Sequence, residues 1–235
     1  MNKYEQKIEF AILLRAIAEF GWDELIYTHA SVRVDENNYI TNNFAYLFEE
    51  ACVSNLLEVD MRNGPQTSQN VAGYEIHKAI YQARPDVNCV IHTHTPETIA
   101  VASAKHGLWP VSQAASLLDP FTVQVPYHGV VDNEETSAAL INGLADNYVV
   151  LLANHGALTV GNRISVAFHR MYRLQKACEA QVMMGQVNNF YLISDDVIHK
   201  QYENSIAHNH ERPGTDLMWE AVKRKIYNKY PEVRV

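Results

Sequence analysis

The sequence predicts an α/β protein in which helices cover both faces of a mixed or antiparallel sheet, a three-layer arrangement. Three observations carry this. Apolar residues at helical spacing alternate along the chain with short strand-like runs; strand–turn–strand patterns of hairpin type demand antiparallel neighbours; and no linker-like stretch divides the 235 residues. A single domain over residues 1–235 is therefore expected, with a core over about 5–200 and a C-terminal helical extension over about 213–230.

Each element follows from a local pattern. Ile8, Ala11, Ile12, Ala16 and Ile17 recur at helical spacing over residues 3–20, and Gly21 follows as a stop. Ala30–Val34 alternates as a strand, Asp35-Glu36-Asn37-Asn38 is a turn cluster and Tyr39–Thr41 begins the return, which makes a hairpin. Asn55–Asp60 is a further strand, followed by an exposed polar loop over 65–70. A helix over 73–83 stops at Arg84-Pro85, because the residue before proline avoids helical angles. Val87–Thr93 reads as a buried strand, Pro96–Lys105 as a helix, Thr122–Val125 as a short strand, Glu134–Leu144 as a helix and Tyr148–Ala153 as a strand running into His155-Gly156. A long helix is expected over Ser165–Val187, and a last amphipathic one over Asp216–Tyr227.

Composition excludes several classes of function. A net charge of -8 with a pI near 5.7 argues against a nucleic-acid backbone or an anionic membrane surface as partner. The first residues carry charges where a signal peptide needs an apolar core, and no run reaches the ~18 apolar residues of a membrane span. A cytoplasmic protein is expected. Cys52, Cys89 and Cys178 are odd in number and widely spaced, so neither a disulfide framework nor a thiolate metal site is suggested.

Histidine supplies the chemistry. His92 and His94 stand two residues apart in an apolar run, Val90-Ile91-His92-Thr93-His94, and side chains two apart on a strand share a face. With His155 from a second apolar run they would place three imidazoles round one divalent metal and leave a position open for water or substrate, as in catalytic zinc sites. Zinc is the expected ion; Fe(II) and Mn(II) suit the same donors. A second pair, His208-Asn209-His210, lies in the polar stretch 204–211 and reads as a solvated loop.

From Tyr74-Glu75-Ile76-His77 through Arg84-Pro85-Asp86 to Val90-Ile91-His92-Thr93-His94, the chain resembles the class II aldolase/adducin family. Further matching stretches are His29-Ala30-Ser31-Val32-Arg33, Leu47-Phe48-Glu49-Glu50, Leu56–Asp60, Pro126-Tyr127-His128-Gly129 and Asn154-His155-Gly156-Ala157, in the family's order. The resemblance implies an α/β/α sandwich on a mostly antiparallel sheet, a homotetramer with sites near subunit boundaries, and His92, His94 and His155 as metal ligands. It further implies a proton-donating tyrosine, for which Tyr127 is the candidate, and a substrate-gripping segment containing His29 and Ser31. Arg33 is expected on an exposed strand face.

Two departures bear on activity. The sugar-phosphate aldolases carry a catalytic glutamate where this chain has Gly73. Glu75 lies about 200° round the helix from position 73 and cannot replace it, whereas His77, four residues on, shares its face and becomes a candidate proton carrier or support for a metal ligand. The phosphate-gripping Thr-Pro-Ser-Gly stretch of those aldolases reads Thr41-Asn42-Asn43-Phe44 here, without the glycine that lets backbone amides approach a phosphate. Both departures bring the chain closer to the adducin-like branch.

The expected function is thus a metal-dependent lyase on a small, unphosphorylated hydroxy-carbonyl substrate. The alternatives are an adducin-like binding or scaffold protein and an Fe(II)-dependent decarboxylase or oxygenase. An actin-type partner is not expected, since adducin uses a long basic tail for that work and the residues up to Val235 contain none.

Overall fold

The computed structural model describes residues 2–131, 133–185, 187 and 189–235. Along the chain come α1 (Lys3–Glu19), β1 (His29–Arg33), β2 (Asn38–Thr41), β3 (Leu57–Asp60), α2 (Val71–Ala83), β4 (Cys89–Thr93), α3 (Pro96–Ser103), α4 (Gln113–Leu118), β5 (Thr122–Val125), α5 (Glu134–Leu144), β6 (Val149–Leu152), β7 (Gly156–Gly161), α6 (Ile164–Met184), α7 (Asp195–Ile206) and α8 (Thr215–Lys229). Local chemistry fixes several starts. Asn2 accepts from the Glu5 N–H at 2.9 Å while the Glu5 carboxylate accepts from the Asn2 N–H at 3.0 Å, a reciprocal cap on α1. Thr95 caps α3 ahead of Pro96, whose fixed φ and missing N–H suit a first helical position.

The strands form one sheet in the order β3-β2-β1-β4-β7-β6-β5. Every described pairing is antiparallel except β5 with β6, which is parallel. Helices cover both faces, so the α/β/α sandwich on a mostly antiparallel sheet is what the chain adopts. On one face Phe10 and Ile17 of α1, Phe168 and Leu174 of α6 and Trp219 of α8 bury against Ala30, Val32, Cys89, Ile91 and Leu151. On the other, Tyr74, Ile80 and Tyr81 of α2 with Leu140 and Leu144 of α5 meet Tyr39, Val90, Val150 and Leu158. The strand period of two decides which side chain enters which core. It therefore puts His92 on the side of Val90 and α2.

Several sequence expectations need correction. Gly156–Gly161 forms β7, although a glycine at each end weakens its strand signature; it pairs antiparallel with both β4 and β6. Consequently His155 does not end a strand but sits in the turn between β6 and β7. α4 and α7 were not expected either: the first has six residues and the second a weakly apolar face, so neither shows a strong helical period. The long helix stops at Met184 rather than running to Val187. Arg33 is not on an exposed face: its guanidinium donates to the carbonyls of Val87, Tyr81 and Arg84, tying the C-terminal end of α2 to the sheet. The loop over 65–70 is not wholly exposed, since Gln69 is buried and donates to the Tyr39 hydroxyl at 2.8 Å.

Candidate metal centre

One end of the sheet collects the histidines. β4 finishes at Thr93, so His94 lies one residue past the strand, yet its ring still converges with that of His92, 4.4 Å between centroids. His155 reaches them from the β6–β7 turn, where Asn154 adopts a left-handed φ of 60°, a conformation asparagine tolerates better than most side chains. Gly156 is needed next to it. A Cβ there would stand 2.4 Å from the Thr93 carbonyl oxygen and 2.9 Å from Cδ2 of His94, so a side chain would push apart the two segments that carry the ligands.

Hydrogen bonds fix the ring tautomers. His92 Nδ1 meets the Ala157 carbonyl at 2.9 Å and His94 Nδ1 meets the Glu24 carboxylate at 2.8 Å. A carbonyl and a carboxylate only accept, so each Nδ1 carries a hydrogen, and in the neutral form of each ring Nε2 keeps a bare lone pair. Those two Nε2 atoms face each other at 2.7 Å. Lone pairs at that separation repel unless a cation lies between them. Ligand nitrogens of His92, His94 and His155 all fall within 4.8 Å of one another, so the donor set fits a metal ion bound by three neutral imidazoles.

Burial keeps two of these rings, His92 and His155, neutral. Burial, with His29, His94 and His155 nearby, pushes His92 well below the usual histidine range. Burial likewise takes His155 down to about 4. Glu24 completes a carboxylate–histidine pair of the kind that orients metal ligands. Nothing in Gly21-Trp22-Asp23-Glu24 announced it, because Glu24 and His94 are 70 residues apart in sequence and meet only through the order of the strands between them.

Behind the trio lies a second polar row. His29 pairs in register with His92 across β1 and β4, and their ring centroids are 4.8 Å apart. His29 Nδ1 meets His77 Nε2 at 2.8 Å, His77 Nδ1 meets Ser31 Oγ at 2.8 Å and Ser31 Oγ meets the Tyr81 hydroxyl at 2.7 Å. Ser31 is the Tyr81 hydroxyl's hydrogen-bond partner among the described residues, so Tyr81 donates. The direction then propagates: Ser31 donates to His77, His77 Nε2–H donates to His29, and His29 is left with Nε2–H as a donor. Burial holds His77 down to about 3 and His29 well below its usual range, so both are neutral.

The missing carboxylate finds its explanation here. A Cβ at Gly73 would come 3.1 Å from the His29 ring, so His29 occupies the room that a side chain at 73 would need. His77 is therefore one ring removed from the trio. Ser31 is wholly enclosed and reaches His77 and Tyr81 rather than open space. Tyr127, on the loop after β5, is 53% exposed with its ring 6.3 Å from that of His155, and both line a cavity of about 20 Å³. The pair His208-Asn209-His210 is elsewhere, and His210 rests among Phe121, Tyr148 and Tyr202.

Fold and site together define a class: α/β/α sandwiches with a three-histidine cluster, able to hold a metal ion, at one end of the sheet. Comparison with known proteins makes this specific. The profile described as "Class II Aldolase and Adducin N-terminal domain" matches residues 8–182. A Pseudomonas aeruginosa protein assigned provisionally to aldolase class 2 is 34% identical over 99% of this chain and 93% of its own length. Alpha-adducin of Rattus norvegicus is 35% identical over 75% of this chain, which spans 25% of that longer protein. A solved aldolase II superfamily protein from Pseudomonas syringae superposes with a TM-score of 0.91 at 31% identity, covering 100% of this chain and 98% of that one. For the fold alone, L-fuculose 1-phosphate aldolase from Glaciozyma antarctica PI12 superposes at 0.84 with 22% identity, covering 99% and 92%. The chain belongs to the class II aldolase and adducin family.

Proposed function

We propose that the chain is a metal-dependent lyase acting on a small, unphosphorylated hydroxy-carbonyl compound, with His92, His94 and His155 holding the metal. The observation that carries this reading is the pair of Nε2 lone pairs facing at 2.7 Å with both Nδ1 hydrogens already committed. Zinc suits three imidazoles and an open position; Fe(II) and Mn(II) are the alternatives. When bound, such an ion supplies Lewis-acid polarisation of a substrate carbonyl.

The protein's own residues supply the rest. Tyr127 is the proposed proton donor, since it is open to solvent beside His155. His29 is the proposed substrate-gripping residue: the chain from Tyr81 through Ser31 and His77 fixes its tautomer, and its Nε2–H is left to stabilise a substrate oxygen. His77 and Ser31 act through His29. An unphosphorylated substrate follows from the stretch Thr41–Phe44, because the Asn42 side chain is committed to the Ala30 N–H at 3.1 Å and no glycine opens the backbone there. A homotetramer in the cytoplasm is proposed by family analogy alone. No described helix is long and apolar enough to cross a membrane.

A second reading, decarboxylation, draws support from one observation. The neighbour of Gly73 is a histidine presenting a donor, where the sugar-phosphate aldolases have a carboxylate base. Loss of carbon dioxide leaves charge on an oxygen and needs no base for a C–H proton. Both readings keep the same metal site.

Metal analysis of purified protein tests the common ground. About one ion per chain is expected in the wild type and none in a His92→Ala/His94→Ala variant; equal contents would remove the site. Screening the metal-loaded protein against hydroxy-ketones, hydroxy-acids and 2-keto acids, each with its phosphorylated counterpart, then separates the readings. Faster turnover of the phosphorylated forms would overturn the substrate class.

A further inference from the structure

A cavity of about 40 Å³ lies at the opposite end of the sheet from the histidine trio, between α4, α6, α7 and the loop before α8. That is room for about three waters or one small tetrahedral anion. Three guanidinium groups line it: Arg170 and Arg173 of α6, and Arg212. A protein of net charge -8 gathers cations here, and their charges are poorly answered.

Arg170 is 9% exposed; it donates to the Val160 carbonyl and lies 3.9 Å over the Tyr148 ring, with no carboxylate bonded to it among the described residues. Arg173 donates through Nε to His169 at 2.7 Å, and no described residue accepts from its two terminal amino groups. Arg212 makes no described side-chain hydrogen bond or ion pair. Glu211 also lines the cavity, but Arg163 at 2.8 Å and Asn162 at 2.8 Å already hold it. Asp216, nearby, is taken by Arg163 and Ser165. Finally, the Gln201 amide oxygen is buried at the cavity wall with no partner among the described residues. Amide oxygen and nitrogen exchange by a half-turn, after which Gln201 offers two donors to the same space.

We propose that this cavity binds a phosphate dianion, free or as the terminal group of a small phosphomonoester, between Arg170, Arg173, Arg212 and the Gln201 amide. A tetrahedral dianion answers three cations and the orphaned amide at once, through charge-assisted hydrogen bonds that are stronger where water is excluded. One member of the second histidine pair finds its place here as well. His210 Nδ1 meets Ser205 Oγ at 2.9 Å and its ring stacks on Tyr202, so His210 helps to wall this cavity rather than the metal centre. The site shares no residue with the metal centre, so it stands whether or not the lyase reading does.

Titration of inorganic phosphate into the metal-loaded protein at constant ionic strength, followed by calorimetry and thermal unfolding, tests the assignment. Wild-type protein is expected to bind one phosphate per chain with a raised unfolding temperature. Arg173→Gln and Arg212→Gln are each expected to weaken binding at least tenfold, while Arg224→Gln, which removes an exposed cation of α8, leaves it unchanged. Gln201→Glu, placing a carboxylate among the arginines, is expected to raise the unfolding temperature without phosphate and to abolish its effect. Tighter binding of glycerol phosphate than of phosphate identifies an esterified ligand, and the reverse a free ion. No binding by the wild type, or equal binding by all four variants, overturns the proposal.

Discussion

Strand β1 serves two interiors of opposite character. Ala30 and Val32 face the apolar core under α1 and α6, where contacts are non-directional. His29 and Ser31, alternating with them, face α2 and join a row in which each hydrogen bond sets the direction of the next. The apolar side needs only matching volume and tolerates swaps of similar size. The polar side works as a unit: one lost partner leaves a buried donor or acceptor unsatisfied at about 1–3 kcal/mol.

The largest effect is expected where the polar row meets the turn that carries His155. Gly156→Ala places a methyl 2.4 Å from the Thr93 carbonyl oxygen, a backbone atom that cannot step aside alone. We expect about 3 kcal/mol of destabilisation by urea unfolding, with metal content falling in parallel because His94 is displaced with the strand end. Unchanged metal content would separate the turn from the ligand geometry. Gly73→Glu comes next. Reinstating the aldolase carboxylate drives its Cβ to 3.1 Å from the His29 ring, and about 2 kcal/mol is expected as that ring shifts. Sugar-phosphate cleavage should not appear in this variant. If it does, His29 is a spectator of the missing glutamate rather than its replacement.

The polar row also predicts a pH response in metal-free protein. Burial lowers the folded-state value of His77 to about 3, against about 6.5 in the unfolded chain. Below 6.5 the unfolded state takes up a proton that the folded state refuses. Stability is therefore fully present above about 6.5 and falls as the pH drops toward about 3, by roughly 1.4 kcal/mol per pH unit for this ring. Unfolding midpoints from pH 7 to pH 4 should show the slope, to which the buried His29, His92 and His155 add in the same direction, and His77→Gln should reduce it by the share of one ring. No comparable slope comes from Ala30 or Val32, which do not titrate.

The two faces differed in legibility too. The alternation of apolar residues in Val90-Ile91-His92 announced both the strand and the face of its histidine, because period two is a local property. His155 was readable from the apolar run before it and from the family stretch Asn154-His155-Gly156-Ala157, whereas the left-handed turn at Asn154 and the close approach at Gly156 were not. Glu24 and Tyr81 were not readable, since their roles depend on which distant segments the sheet order brings together. β7 escaped notice because its terminal glycines serve backbone packing, not strand propensity. Arg170, Arg173 and Arg212 were invisible as a group: the first two share a helix at i and i+3, but the third arrives from beyond α7.

Tyr127 gives the smallest stability effect and the sharpest separation of chemistry from structure. It is 53% exposed, belongs to neither interior and, among the described residues, meets the centre through the edge of His155. Removing its hydroxyl in Tyr127→Phe should therefore leave the urea midpoint within about 0.5 kcal/mol of wild type and the metal content unchanged. Turnover of whichever substrate the screen identifies should nevertheless fall by about 10²–10⁴, the usual contribution of a positioned acid or base. The contrasting variant is Tyr81→Phe. It removes the donor at the far end of the buried row, so it should destabilise by about 1 kcal/mol and, by freeing the His29 tautomer, weaken substrate binding more than it slows turnover. If Tyr127→Phe matched Tyr81→Phe in both respects, the loop after β5 would be part of the scaffold and the proton would have to come from elsewhere.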